Sequence, residues 1–570
     1  MVDETSQTAQ NARSSRQARA RARPRDLTER LNVFARAAAL GVLIALLGIG
    51  MFGRFYTARF NGLVSTTAME IGDIAQQLRS GRGMSTRVIR PLALAYGQPD
   101  EEGVMPETLH APLYPLLLSW LFRARGGGDA SVAIFNGLMF LLTGWVIFAI
   151  ARGLWDKVIA LLAVAVYFVN VDAIGQALTG VGASLAGLLF TVAIWAALRN
   201  RQSIQSSSEL SEATVGHSRV IWPLMVGGIF GLTYLAGLTS LLLFIPLAVL
   251  ATASSRLRWQ QVGLIAITAV VVISPWLVRN LRVSGTLLPP MANYVLLTHT
   301  QSYPGESIFQ QMPGQVLSPV VFAVAHPAEM LRKIGHGLTR LYRGGPAMLN
   351  PYLFPFFILG AFLFDRTGLK RSLWRVVIAM FLVQALSICL YGQELHGLGV
   401  ILPAAICLAV GGLVEALRRT ETTRLTQILV ASVIVALVLF PTLSSAVLGG
   451  KFPGNPSLGS FGMLRAGLTE DAVIATDSPA PVAWYAYKSA VLLPSSPQAL
   501  EDMQARGVNP DYIYFSHGMG KPGERRGFDA WHELLQSQEQ RRHLGQLFSL
   551  SQGELLFERI NKRVATQDSE

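Results

Sequence analysis

Eleven apolar runs lie between Val33 and about residue 448, and no other feature limits the fold of this chain as strongly. They begin near Val33, Ser131, Lys157, Val171, Val220, Leu238, Gln261, Pro351, Trp374, Gly397 and Thr426. A bilayer core about 30 Å thick is crossed by about 20 apolar residues of helix, and helix is favoured because lipid offers backbone N–H and C=O groups no partner. Charged residues make up only 15% of the chain, against about 25% in soluble domains. The mean hydropathy is +0.40. The expected fold class is therefore an all-α polytopic membrane bundle of about eleven transmembrane helices.

The formal charge of +13 points to topology rather than to nucleic acid, because the basic residues sit between apolar runs and in the first 32 residues, not along amphipathic faces. Residues 1–32 hold Arg13, Arg16, Arg19, Arg21, Arg23 and Arg25 and show no cleavage-site pattern after a short apolar core, which reads as a disordered cytoplasmic tail. With that tail inside, every short basic loop falls on the same side: Arg152 with Lys157, Arg199 with Arg201, Arg256 with Arg258, Arg366 to Arg375, and Arg418 to Arg424. The membrane domain, 33–448, then presents outer loops at 57–130 and 281–349, and residues 449–570 also face outward. The expected site is the plasma membrane, the inner membrane of a bacterium, with the N-terminus cytoplasmic. Cys389 and Cys407 both lie inside apolar runs and read as packed small side chains.

Two segments of the first outer loop have helical character: Thr67–Leu78 (TAMEIGDIAQQL) and Ala111–Phe122 (APLYPLLLSWLF), the second apolar but too short to span. Both are expected to lie at the membrane surface. After residue 470 the composition changes: short strand-like runs, AVIATD and DYIYFS, flank the helical LEDMQARG, and a polar helix is expected from Asp529 to about His543. This reads as a small C-terminal α/β domain. Trp484 and Tyr485 read as part of its core, with sugar stacking as the alternative.

Chemistry on a lipid-linked substrate needs an acid or base at the membrane surface and cations to hold phosphate. Glu70 and Asp73, three apart, share a helical face, where two carboxylates can raise one another's pKa or chelate a divalent cation such as Mg or Mn. Arg82, Arg87 and Arg90 follow in a Gly-rich stretch and suit phosphate, or anionic headgroups without catalysis. His110 precedes the second apolar segment as a possible proton carrier or an ordinary interfacial polar residue. Arg279 and Asn280 close the seventh run in SPWLVRN, where a phosphate or an interfacial anchoring role beside Trp276 would account for the charge. Glu394 and His396 stand in a short outer loop, as candidate contacts or as solvated loop residues. No P-loop, dinucleotide fingerprint, H-E-x-x-H or G-x-S-x-G occurs in the chain.

AMEIGDIAQQLRSGRG, IRPLALAY, HAPLYPLLLSWLF, SPWLVRNLRVSGTLLPP and VIATDSPAPVAWYAYKSAVLLP together resemble segments of the C-type (GT-C) glycosyltransferases. That group includes the protein O-mannosyltransferases and the aminoarabinose transferase of lipid A. Thr67 stands where many members carry an acid, and the second acid of the pattern corresponds to Glu70. HGLGVILPAAICLA stands where members often show R-Y-x-x-P-x-x-P, which shifts a basic contact to His396. The resemblance implies transfer of a glycosyl group, with inversion, from a polyprenyl-phosphate carrier to a glycan, lipid or protein acceptor at the outer face. It implies Glu70, with Asp73, as the base and Arg279 with a loop arginine on the phosphate. A catalytically silent carrier-lipid binder or scaffold, and a lipid-linked sugar transporter, are the competing readings.

Overall fold

The computed structural model describes residues 38–206, 212–252, 258–365, 368–392, 395–420, 423–520, 527–537, 544–550 and 554–559. The basic tail, residues 1–32, lies outside them. Six described helices are long and apolar enough to cross a bilayer: Ala38–Arg59, Asp129–Leu154, Ala183–Ile204, Arg258–Ser284, Leu369–Tyr391 and Leu429–Leu448. Lys157–Phe168 and Val171–Thr179, bent by 53°, make a seventh crossing if they are one broken span. Asp156 and Asn170 cap the two halves, accepting from the N–H groups of Ile159 at 3.0 Å and Ala173 at 2.8 Å. Gly180, at φ +80°, then ends the second half in the left-handed conformation that glycine adopts without strain.

The runs beginning near Val220, Leu238, Pro351 and Gly397 form helical segments that are shorter or more polar: Val220–Ala236, Leu238–Thr252, Phe354–Leu363 and Leu402–Arg419. Phe354–Leu363 has 10 residues, about 15 Å at 1.5 Å per residue, or half a bilayer core. The chain is a multi-pass membrane protein. Its bundle buries Phe140, Phe190, Ile194, Ile265 and Met380, while Leu43, Trp145, Ile267 and Val271 stand exposed on its flanks, where acyl chains and not water are the compatible solvent.

The soluble part is built on a six-stranded sheet in the order β2-β5-β4-β6-β8-β7. A two-stranded antiparallel pair, β1 (Ser85–Thr86) with β3 (Met105–Pro106), stands beside it. The large sheet takes β2 (Val88–Ile89) from the loop at 57–130, and β4 (Val473–Thr476), β5 (Ser489–Leu492), β6 (Tyr512–Phe515), β7 (Gln546–Ser549) and β8 (Leu555–Glu558) from the C-terminal part. Strands β2, β5, β4 and β6 are parallel, and β8 and β7 complete the sheet antiparallel. Side chains alternate between two cores with the period of two that a pleated strand imposes. Ile89, Ala475, Val491 and Ile513 face Trp531 and Phe309, while Val88, Ile474, Ala490 and Tyr514 face Phe461 and Val482. The helix expected in LEDMQARG is present as Pro497–Ala505, and the polar helix runs Asp529–Gln536.

Both helices expected in the first outer loop are present, Thr66–Arg79 and Leu113–Arg125. Ser65 caps the first by accepting from the N–H of Ala68 at 3.4 Å. Nine of its 14 residues are buried, so it lies within the protein, packed between Leu113–Arg125 and the turn at Pro479–Ala486 of the C-terminal part. The approach is close at Gly72, where a Cβ would stand 2.7 Å from the Trp484 ring. Trp484 donates to Asp129 Oδ1 at 2.7 Å and Tyr485 to Asp129 Oδ2 at 2.9 Å. Both aromatic residues therefore fill and fasten this interface. Gly72→Val is expected to destabilise the protein by about 1–3 kcal/mol through overpacking. Thermal unfolding in detergent checks this, and a midpoint equal to wild type would show that the interface yields.

Candidate active site

The candidate site forms where the loop at 57–130 folds back on itself beside the sheet. Glu70 and Asp73 do share a face of Thr66–Arg79, but they meet different partners. Asp73 is fully buried and accepts from the N–H of Arg87 at 2.8 Å and from the Thr86 hydroxyl at 3.0 Å, with the Arg87 guanidinium 3.4 Å from its other oxygen. Burial pushes its carboxyl above the ordinary range, and Arg87 and the hydrogen bonds only partly offset that. Asp73 thereby fixes the start of β2.

Glu70, 7% exposed, accepts from Arg90 at 2.5 Å through Oε1, and its Oε2 lies 3.4 Å from Nε2 of His110. Arg90 reaches it because β2 ends at Ile89, so the next side chain leaves the sheet toward the loop helix. The Arg90 guanidinium also lies 5.5 Å from the Phe309 ring, within cation–π range. Burial lowers the pKa of Arg90, but Glu70 and Glu107 more than reverse this. The other two arginines point elsewhere. Arg87 serves Asp73 and lies 6.0 Å from the Tyr487 ring, and Arg82 pairs with Glu102 in an exposed ion pair.

His110 is held from its other side by Glu107, a residue that sequence reasoning missed. Glu107 is 2% exposed. Its Oε1 accepts from the N–H groups of Leu109 at 2.5 Å and His110 at 2.8 Å and lies 3.3 Å from His110 Nδ1. The i,i+3 spacing of an acid and a histidine just ahead of an apolar helix was the available signal. Burial alone would raise the Glu107 carboxyl, but His110, Arg90 and the Leu109 N–H hold it at about 2, from an ordinary 4.5. Burial alone would lower His110, but Glu107 and then Glu70 raise it above its ordinary 6.5, with Arg90 opposing them. A carboxyl depressed on folding stabilises the folded state above its unfolded pKa, and that stability disappears as pH falls through the folded value. Glu107→Gln is thus expected to cost about 3 kcal/mol at neutral pH, and the gap to wild type should close between pH 4.5 and about 2. Chemical denaturation across that range checks it, and a pH-independent gap would refute it.

Arg279, at the end of Arg258–Ser284, lies 4.9 Å from the Trp276 ring and donates to the carbonyls of Met84, at 2.9 Å, and Glu107. It also donates to Asn280 Oδ1 at 3.3 Å, and Asn280 donates to the Leu287 carbonyl at 3.3 Å. The span therefore braces the loop that carries Glu107 and His110. Glu394 lies outside the described residues, as does the side chain of His396. Thr67 is exposed on the loop helix.

As arranged, the acidic residues do not fit a divalent cation. Both Asp73 oxygens are engaged by Thr86 and Arg87, both Glu70 oxygens face Arg90 and His110, and among the described residues no group of three or more His, Cys, Asp or Glu side chains is placed to hold a metal ion.

No protein family and no curated protein sequence matches the chain. Solved structures do. ArnT from Cupriavidus metallidurans aligns in its apo state with a TM-score of 0.57 and 13% identity over 91% of this chain and 98% of that one. The same protein bound to undecaprenyl phosphate aligns with a TM-score of 0.55 and 13% identity, over 90% and 97%. The fold is that of the GT-C glycosyltransferases. The archaeal oligosaccharyltransferase AglB from Archaeoglobus fulgidus, in complex with an inhibitory peptide and a dolichol-phosphate, shares this GT-C fold with a TM-score of 0.52 and 11% identity, over 91% of this chain and 74% of that one. At these identities the likeness is one of fold.

Proposed function

We propose that the chain transfers a glycosyl group from a polyprenyl-phosphate carrier to an acceptor hydroxyl or amine at the outer face of the membrane. The observation that carries this reading is a buried carboxylate, Glu70, set against Arg90 and His110 where a membrane span meets a soluble sheet. Glu70 takes the acceptor's proton as the acceptor atom bonds to the anomeric carbon from the face opposite the phosphate. The bond from that carbon to the phosphate oxygen breaks, and the carrier phosphate leaves with the electron pair, its added negative charge met by Arg90 and by Arg279. Attack from the opposite face inverts the anomeric centre. Asp73 acts through Thr86 and Arg87, keeping the start of β2 and hence Arg90 in place.

In this reading residues 33–448 form the membrane domain and 449–570 the outer domain, with the N-terminus cytoplasmic and the protein in the plasma membrane. The carrier phosphates in the ArnT and AglB structures support a lipid-linked donor. Thr67, where many GT-C members carry an acid, favours a second reading, a silent carrier-lipid binder. The test is release of polyprenyl phosphate from a panel of polyprenyl-phosphate sugars by the purified protein in nanodiscs. Release that depends on an added acceptor is expected. Tight binding of the carrier with no release from any donor would select the silent binder.

A further inference from the structure

Glu107 belongs to none of the motifs that point to glycosyl transfer, yet three parts of the site meet on it. Its carboxylate accepts from two successive N–H groups and faces His110 Nδ1, and its carbonyl accepts from Arg279. The imidazole is thereby aimed so that its far nitrogen, Nε2, faces Glu70 at 3.4 Å. An imidazole standing between two carboxylates can donate to both only when both nitrogens carry protons.

We infer that Glu107 is a positioning residue that holds His110 as an imidazolium aimed at Glu70, so that the site keeps a second cation beside Arg90 for an anionic phosphate. The charged groups around the ring are Glu107 from its own turn, Glu70 from the loop helix and Arg90 from the end of β2. Arg279 acts on Glu107 from the membrane span, and Glu306 acts on Arg90 from the loop at 281–349. Two carboxylates against one guanidinium leave the balance in favour of the protonated ring. A histidine suits this task better than a lysine, because a flat ring with donors at opposite ends spans two carboxylates in one orientation.

The competing role for Glu107 is purely local, as the acceptor that closes the turn at Leu109 and His110. Glu107→Gln separates the two, since a glutamine oxygen still accepts from both N–H groups but carries no charge. In the full-length protein in nanodiscs, labelled with ring-13C histidine and with His110 assigned by its loss in His110→Gln, the His110 titration midpoint is expected to fall by about one pH unit or more in Glu107→Gln. An unchanged midpoint overturns the inference. Glu107→Asp, which draws the charge back by one methylene, replaces the Gln variant if that one fails to fold. A smaller fall is then expected, and no fall is again refuting. The consequence for turnover rests on the glycosyl-transfer reading: the high-pH limb of kcat/KM should move down with the midpoint, leaving Glu107→Gln about tenfold slower than wild type on that limb. If the midpoint falls while no donor is turned over by either protein, the transfer reading fails and the role of Glu107 stands.

Discussion

Glu70→Gln is expected to lower glycosyl transfer by at least about a hundredfold, the lower end of what a general base contributes. The substitution keeps shape and an acceptor oxygen for Arg90, so the loop helix need not move. It removes a buried carboxylate that stands between Arg90 and His110 at the meeting of loop, sheet and span. Asp73 cannot stand in, because its oxygens are engaged by Arg87 and Thr86. The measurement is the initial rate of carrier-phosphate release, with KM for the donor followed in parallel. A fall in kcat with little change in KM is the signature of a group that acts on the reacting atoms. Transfer within threefold of wild type would remove Glu70 from the chemistry.

Arg90→Met is expected to be the most damaging single change in the loop, with loss of both stability and donor binding. Breaking a buried ion pair by removing one partner costs about 3–5 kcal/mol, because the remaining charge stays buried without its partner. The lower end applies here, since His110 still faces Glu70. Neither Arg82 nor Arg87 compensates: one is an exposed partner of Glu102 and the other is committed to Asp73. Thermal unfolding in detergent and binding of undecaprenyl phosphate to the nanodisc-embedded protein measure the two effects. Arg90→Lys separates them, because it restores a charge without the flat, forked guanidinium that suits both carboxylate and phosphate. Wild-type unfolding and binding in Arg90→Met would show that the pair is incidental.

The loop helices and the strands in AVIATD and DYIYFS were legible because each depends on local signals. A 3.6-residue period marks Thr66–Arg79, and strand-forming residues mark β4 and β6. The ranking of the three loop arginines was not legible. Arg82, Arg87 and Arg90 look equivalent in a Gly-rich stretch, and only the placement of β2 decides that Arg90 turns toward Glu70. Glu107 stayed hidden because its importance comes from a span end 172 residues away that reaches its carbonyl and from His110, which it holds against Glu70.

By itself the sequence determined that this chain lives in a membrane, since the length of an apolar run is matched to bilayer thickness residue by residue and needs no distant contact. It also determined the class of the fold, through motifs spread along most of its length. Only the tertiary structure decided that the loop at 57–130 and the C-terminal part share one sheet, with Val88 beside Ala490 and Ile89 beside Val491. A two-residue strand carries too little pattern to announce its partner, and pairing across some 400 residues is set by burial on both faces of the sheet rather than by local preference. That pairing draws Arg90 up to Glu70 and makes a site out of residues that the linear sequence leaves apart.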